Sequence, residues 1–318
     1  MRFGGGGRRT TQHSTNWPEA TMTHERDDSD IPDTAEADRG PTVLRISLGS
    51  RLRRLREACG ISREDAGDHI RGSHAKISRL ELGRTRFRER DLLDLLKLYG
   101  VDDPEKLAVY VDLMKKANDP GWWQPFNDVL PNWFENYIGL EQAATTIRTY
   151  EAQFVPGLLQ TESYARSVIT LGNDDETERR VGMRMRRQDI LSRAAAPTLW
   201  AVVDENALRR PIAGYPELRD QIEHLIAASE RPNVKIQVLP YSVGGHPAAG
   251  GSFSILRFPE PELPDMVYME QLTTSHYLEK KQDVEVYMTV MNKLSVIALT
   301  PGESRDYLRK VLSELPTE

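Results

Sequence analysis

Between Arg63 and Arg86 the chain carries side chains that hydrogen-bond to anions and to heteroaromatic edges: Arg63, Ser73, His74, Lys76, Ser78, Arg79, Arg84 and Arg86. A guanidinium fork matches O6 and N7 of guanine, or a phosphate, with two parallel N–H bonds. Arg79 is the first candidate for such a base contact, which discriminates by ~1–3 kcal/mol. Lys76 can do the same or neutralise a phosphate, His74 can donate or accept through an imidazole edge, and Ala75 is small enough to admit a thymine methyl. Arg63, Arg84 and Arg86 suit the phosphate backbone, and Ser73 is a helix cap first and a phosphate donor second.

Other chemistries find no matching pattern. The chain has one cysteine, Cys59, and contains no CxxC, HExxH or GxSxG motif. Structural metal, disulfide stapling and a serine nucleophile are therefore not expected. Asp204, Glu205 and Glu270 are carboxylates without metal-ligand spacing, and His246 and His276 stand alone, so no catalytic residue, cofactor or metal is expected.

The basic residues sit on a helical scaffold. Leu48, Leu52, Leu55 and Cys59 make one stripe of a helix that stops at Gly60, so Cys59 reads as a small core residue, with Arg51, Arg53, Arg54 and Arg56 on the other faces. Ser62 and Asp65 form a shortened capping box for a second helix running to about Ile70, and Ser73 caps a third that ends at Leu82-Gly83, with Ile77 and Leu80 inward. A fourth spans about Arg88 to Tyr99, and a fifth starts with Asp103 and Pro104 and buries Leu107, Val111 and Met114.

Charge separates the parts. The chain is −6 overall, yet residues 1–42 carry −3, 43–100 carry +6 and 101–318 carry −9. A compact basic segment in an acidic chain is the footprint of a nucleic-acid-binding module joined to something else. Residues 1–42, with Gly4 to Gly7 and few large apolar side chains, read as a disordered tail; no strand precedes the glycines and no GK[ST] follows them.

Beyond Asp119-Pro120-Gly121 strands and helices alternate. An aromatic connector (Trp122, Trp123, Phe126, Trp133, Phe134, Tyr137) leads into the segment Thr145 to Gln160 and its Pro156-Gly157 turn. Strands are expected at 198–204, 234–239, 252–258 and 266–271, and helices at 161–170, from Asp174 or Asp175 to about Ala194, and at 216–229, 283–299 and 303–315. The arginines at 179, 180, 184, 186 and 187 read as a charged helix face paired with Glu176, Glu178 and Asp189. No stretch approaches the length of a membrane span and no secretory leader is visible, so the chain is expected in the cytoplasm, nucleoid-associated when on DNA.

Five helices, with a tight turn between the second and third, are the helix-turn-helix plan. Leu48 to Val101, above all Ser73-x-x-x-Ile77-Ser78-x-Leu80-Glu81-x-Gly83, resembles the Xre-type, phage repressor and Cro-like DNA-binding domain. Two positions depart from that family: Gly67 replaces the usual alanine, and Arg71 stands where the turn glycine is usual. The rest, through Phe154-Val155-Pro156-Gly157-Leu158-Leu159-Gln160-Thr161, is similar to the C-terminal domain of unknown function shared by Xre-type regulators of filamentous, sporulating bacteria. That resemblance implies partner binding or signal sensing without enzymatic activity, some members being antitoxin-like.

The expected fold is an all-α helix-turn-helix domain of five helices (43–119) and a mixed α/β domain (120–318) that dimerises, senses a signal or binds a small protein encoded nearby. The expected function is sequence-specific transcriptional regulation on double-stranded DNA as a homodimer. The alternatives are an antitoxin-like module that sequesters its partner and autoregulates, and, further off, an enzyme with a DNA-binding appendage using Glu270, Asp204 or His246.

Overall fold

A computed structural model describes residues 40–172, 176–212, 214–248, 250–259 and 263–316. Most of the expected tail, and the expected caps Asp174 and Asp175, lie outside the described residues. Helix α1 (Pro41–Ala58) starts on a proline at its first turn and already buries Thr42, within the span read as tail. It is followed by α2 (Arg63–His69), α3 (His74–Glu81), α4 (Glu89–Leu98) and α5 (Pro104–Asn118). Leu44, Leu48 and Leu52 of α1, Ile77 and Leu80 of α3, and Leu92, Leu95 and Leu96 of α4 share one apolar core.

Two inward readings shift. Cys59 is exposed, because α1 ends one residue before it and Gly60 turns the chain away in the left-handed region. Its thiol donates to the Tyr99 carbonyl at 3.4 Å. In α5 the buried residues are Tyr110, Leu113, Met114 and Ala117, with Leu107 and Val111 only half-buried.

The α/β part is a mixed sheet in the order β3-β2-β1-β4-β5-β6. Strands β1 (Thr146–Glu151), β2 (Thr198–Asp204) and β3 (Val234–Leu239) are parallel, while β4 (Phe253–Arg257), β5 (Met266–Glu270) and β6 (Ser275–Leu278) continue antiparallel. Alternation of side chains splits the sheet into two faces. Ile147, Leu199, Ala201, Val203, Leu256 and Tyr268 share a core with α6 (Asn132–Ala143), α7 (Glu162–Thr170), α10 (Tyr215–Ala228) and α12 (Pro301–Glu314). Tyr150, Val202, Phe253, Ile255 and Val267 pack with Val284, Met291 and Leu294 of α11 (Lys281–Ile297).

Helix α8 (Thr177–Arg187) is a packing helix rather than a solvated face. Arg187 is buried, donates both Nε and Nη2 to the fully buried carboxylate of Glu141, and lies over the Phe134 and Tyr137 rings. Arg184 donates to Gln160 at 2.8 Å, and Arg179 pairs with Asp128 as well as Glu176. Of the expected acidic partners, Glu178 pairs with Arg166 instead. A short helix, α9 (Glu205–Arg209), follows β2 with Asp204 as its cap.

The helical and α/β parts meet along α1 and α6. A Cβ at Gly139 of α6 would fall 2.0 Å from Thr42 Oγ1, so only glycine allows α1 this close, and Val43 enters the α/β core.

Glu151 ends β1 opposite the chain leading into β4. Burial pushes its carboxyl up from 4.5 to about 7, and Glu270 acts in the same direction. A carboxyl raised this way binds its proton more tightly folded than unfolded. Its contribution to stability is therefore full below pH 4.5 and lost as pH rises to about 7. Glu151→Gln is expected to flatten the fall of melting temperature across that window and to melt higher than wild type at about pH 8; an unchanged slope would contradict the assignment.

Candidate nucleic-acid interface

Helices α2 and α3 are joined by a turn that the local sequence dictates. The Ser62 hydroxyl accepts from the Asp65 N–H at 3.1 Å, and Ser73 accepts from the Lys76 N–H at 3.3 Å. Each satisfies one orphan N–H at the start of its helix. At the end of α2, Gly72 N–H donates to the Gly67 carbonyl at 2.8 Å and Arg71 N–H to the Asp68 carbonyl at 3.0 Å. This paired closure needs a left-handed residue in its middle, a position usually given to glycine. Here Arg71 takes it at φ 52°, the one positive φ among the described non-glycine residues. The other departure has a steric reason: a Cβ at Gly67 would come 2.9 Å from the Ser73 backbone, so glycine lets α2 reach the start of α3.

Helix α3 divides cleanly. Ile77, Leu80 and Glu81 are buried. Ser73, His74, Ala75 and Arg79 are exposed, while Lys76 and Ser78 are half-buried. Among the described residues neither Arg79 nor His74 has a side-chain partner, so both are available to an incoming ligand. Lys76 is committed elsewhere: its ammonium lies 2.6 Å from Asp91 Oδ2 on α4, and the lysine side chain is only 28% exposed.

The inner side of α3 is fastened by a carboxylate that sequence reasoning missed. The Glu81 side chain is 3% exposed and accepts from Arg56 Nε at 2.5 Å, Arg56 Nη2 at 3.2 Å and Arg63 Nε at 2.9 Å. Arg56 also donates to the Ile61 carbonyl at 2.8 Å, so one network ties α1, the α1–α2 turn, α2 and α3. The bond to Glu81 holds the Arg56 pKa above its ordinary value. A signal existed: an acid in the last turn of a helix opposes the helix dipole, which favours a retained partner as its reason.

The expected phosphate contacts divide in the same way. Arg63 spends Nε on Glu81 and stays partly exposed. It shares with Arg53, Arg56, Glu57, Glu64 and His74 a polar cleft of about 380 Å³ beside the start of α3. In the loop after α3, Arg84 donates to Glu279, between β6 and α11, at 3.0 Å, and Arg86 is exposed. The Arg45 pKa is lowered by burial and by nearby Arg86, and Arg45 Nε donates to the Gly83 carbonyl at 2.9 Å, holding that loop on α1.

Of the residues considered for catalysis, Asp204 and His246 come together, 3.9 Å apart, and Glu270 stands apart from them. Asp204 and His246 meet Tyr150, whose hydroxyl donates to Asp204 at 3.5 Å and lies 3.2 Å from His246 Nε2. Glu270 accepts from Tyr268 at 3.2 Å on the opposite face of the sheet. Among the described residues no group of three or more His, Cys, Asp or Glu side chains gathers as metal ligands would, and no helix is long and apolar enough to cross a membrane.

Two known families match the chain. A helix-turn-helix domain matches residues 47–109, and a domain of unknown function (DUF5753) matches residues 134–310, more than half of the chain. No curated protein and no solved structure matches it.

Removing one partner of a buried ion pair leaves an uncompensated charge and costs ~3–5 kcal/mol. Glu81→Gln is expected to destabilise the helical part by about 3 kcal/mol, the lower end because Arg63 can turn to water. Denaturant unfolding followed by circular dichroism measures this; a loss below about 1 kcal/mol, the size of a surface pair, would show that the network is not holding α3.

Proposed function

The chain belongs to the family defined by the domain of unknown function at residues 134–310, and from that premise, with a helix-turn-helix domain ahead of it, we propose that it is a sequence-specific transcriptional regulator of the Xre type. The observation that carries the reading is the division of α3: Ile77, Leu80 and Glu81 held from inside, with His74, Ala75 and Arg79 presented outward. A helix docked by its N-terminal turns in the major groove reads base edges with such residues.

Arg79 is the guanine reader, and His74 and Ala75 read the adjoining positions. Ser78 sits lower on the same side. Lys76 joins them only by leaving Asp91, so its weight in recognition is smaller than its charge suggests. Ser73, Arg63, Arg84 and Arg86 flank the helix for phosphate contacts that set its register on the duplex. One helix-turn-helix reads few base pairs, and a two-fold dimer would read half-sites one helical turn apart. The α/β part then supplies dimerisation and a binding surface for a signal or a small protein partner, on a protein working in the cytoplasm at the nucleoid.

The test is a titration of the full chain against its own upstream DNA and a scrambled duplex at two salt concentrations. Wild type is expected to prefer the upstream DNA with two chains per site. Arg79→Ala is expected to lose ~1–3 kcal/mol of that preference while keeping salt-dependent nonspecific binding. Equal, weak binding of both duplexes by wild type and variant would overturn the reading and favour a module whose main task is to hold a partner protein.

A further inference from the structure

Strand register places an indole between two cations on the α11 side of the sheet. Arg148 of β1 stands opposite Trp200 of β2, and Trp200 opposite Lys235 of β3. Directly opposed residues share a face, so the three side chains form one cross-strand row. The Arg148 guanidinium lies 4.7 Å and the Lys235 ammonium 5.3 Å from the centre of the Trp200 ring, within cation–π range. The ring is fixed by its N–H, which donates to Gln237 Oε1 at 2.7 Å. Arg148 is fixed in turn by donating to Asn292 Oδ1 at 2.9 Å and Ser295 Oγ at 3.3 Å on α11.

This row forms part of the lining of a cleft of about 480 Å³, completed by α11 and by the first residues of α12. Among the described residues no carboxylate lines it. Among the described residues neither Arg148 nor Lys235 has an ion pair, whereas Arg187 and Arg209 of the same body and Arg257 beside Arg148 are each matched by an acid. Burial and repulsion from Arg257 hold the Arg148 pKa below its ordinary value. Glu303, in the first turn of α12, is occupied in a capping box with Thr300. On the rim stands Val296, 82% exposed. Two cations without an acid partner, beside an aromatic ring and an open aliphatic side chain, suit one kind of occupant.

We propose that this cleft binds a small organic anion, its carboxylate or phosphate held by Arg148 and Lys235 and its apolar body laid against Trp200 and Val296. The site is built from β1, β2, β3, α11 and the start of α12 alone, so it is read without DNA and stands or falls separately from base reading by α3.

The probe is anilinonaphthalene sulfonate, an organic anion with an aromatic body, titrated by fluorescence into the full chain, with uncharged phenylnaphthylamine as control. Wild type is expected to bind the anion saturably, and Arg148→Gln or Lys235→Glu to weaken it about tenfold, the equivalent of one charged hydrogen bond. The uncharged control is expected to bind all three proteins alike. Lys235 is exposed, so Lys235→Glu keeps the question answerable if Arg148→Gln fails to fold. Wild-type affinity in Lys235→Glu, or an equal loss for the uncharged control, would overturn the proposal.

Discussion

A carboxylate removed from water must be matched by hydrogen bonds or it unfolds what surrounds it. Glu81 is that group here. With Arg56 and Arg63 around it, the last turn of α3 cannot drift from α1 and α2 without stranding a charge. The direction of the exposed α3 face is thus set from behind, by a carboxylate that is itself buried. Pairing within the helical part also makes the basic segment less basic toward solvent than its composition suggests. Arg56 and Arg63 serve Glu81, Lys76 serves Asp91, and Arg45 serves the Gly83 carbonyl, which leaves Arg79 and Arg86 among the outward cations.

The helical part is also joined to the rest. Thr42 against Gly139 sets α1 on α6, and the Arg84–Glu279 bond links the loop after α3 to the segment between β6 and α11. Such an exposed pair contributes little to stability, ~0–1 kcal/mol. Its significance is positional: a residue suited to phosphate contact is shared with the part of the chain that carries α11.

What could be read in advance follows the range of the interactions involved. Caps and 3.6-residue periodicity are local, and they placed the caps Ser62 and Ser73 and the helix starts at Asp103 and Thr161 where the structure has them. Strand β2 declared itself by a nearly continuous apolar run, and β3 by the alternation of Val234, Ile236 and Val238. Strand β1, at the centre of the sheet, did not, because Thr146, Arg148 and Thr149 dilute its pattern and the Pro156-Gly157 turn reads as a loop. Helix α6 was hidden by its aromatics, which stack as Phe134 on Tyr137 at 5.6 Å and form core rather than connector. Glu81, Glu141 and the Arg148–Trp200–Lys235 row depend on partners far away in the chain, and no local pattern reports them.

The most direct test of the account is the DNA discrimination of Glu81→Gln, measured at a temperature where circular dichroism shows it folded. If the buried carboxylate aims α3, the ratio of affinities for upstream and scrambled DNA falls toward one, while the salt dependence steepens because Arg63 is released to meet phosphate. Wild-type discrimination with an unchanged salt slope would contradict the account, and would mean that apolar packing of Ile77 and Leu80 suffices to aim the helix.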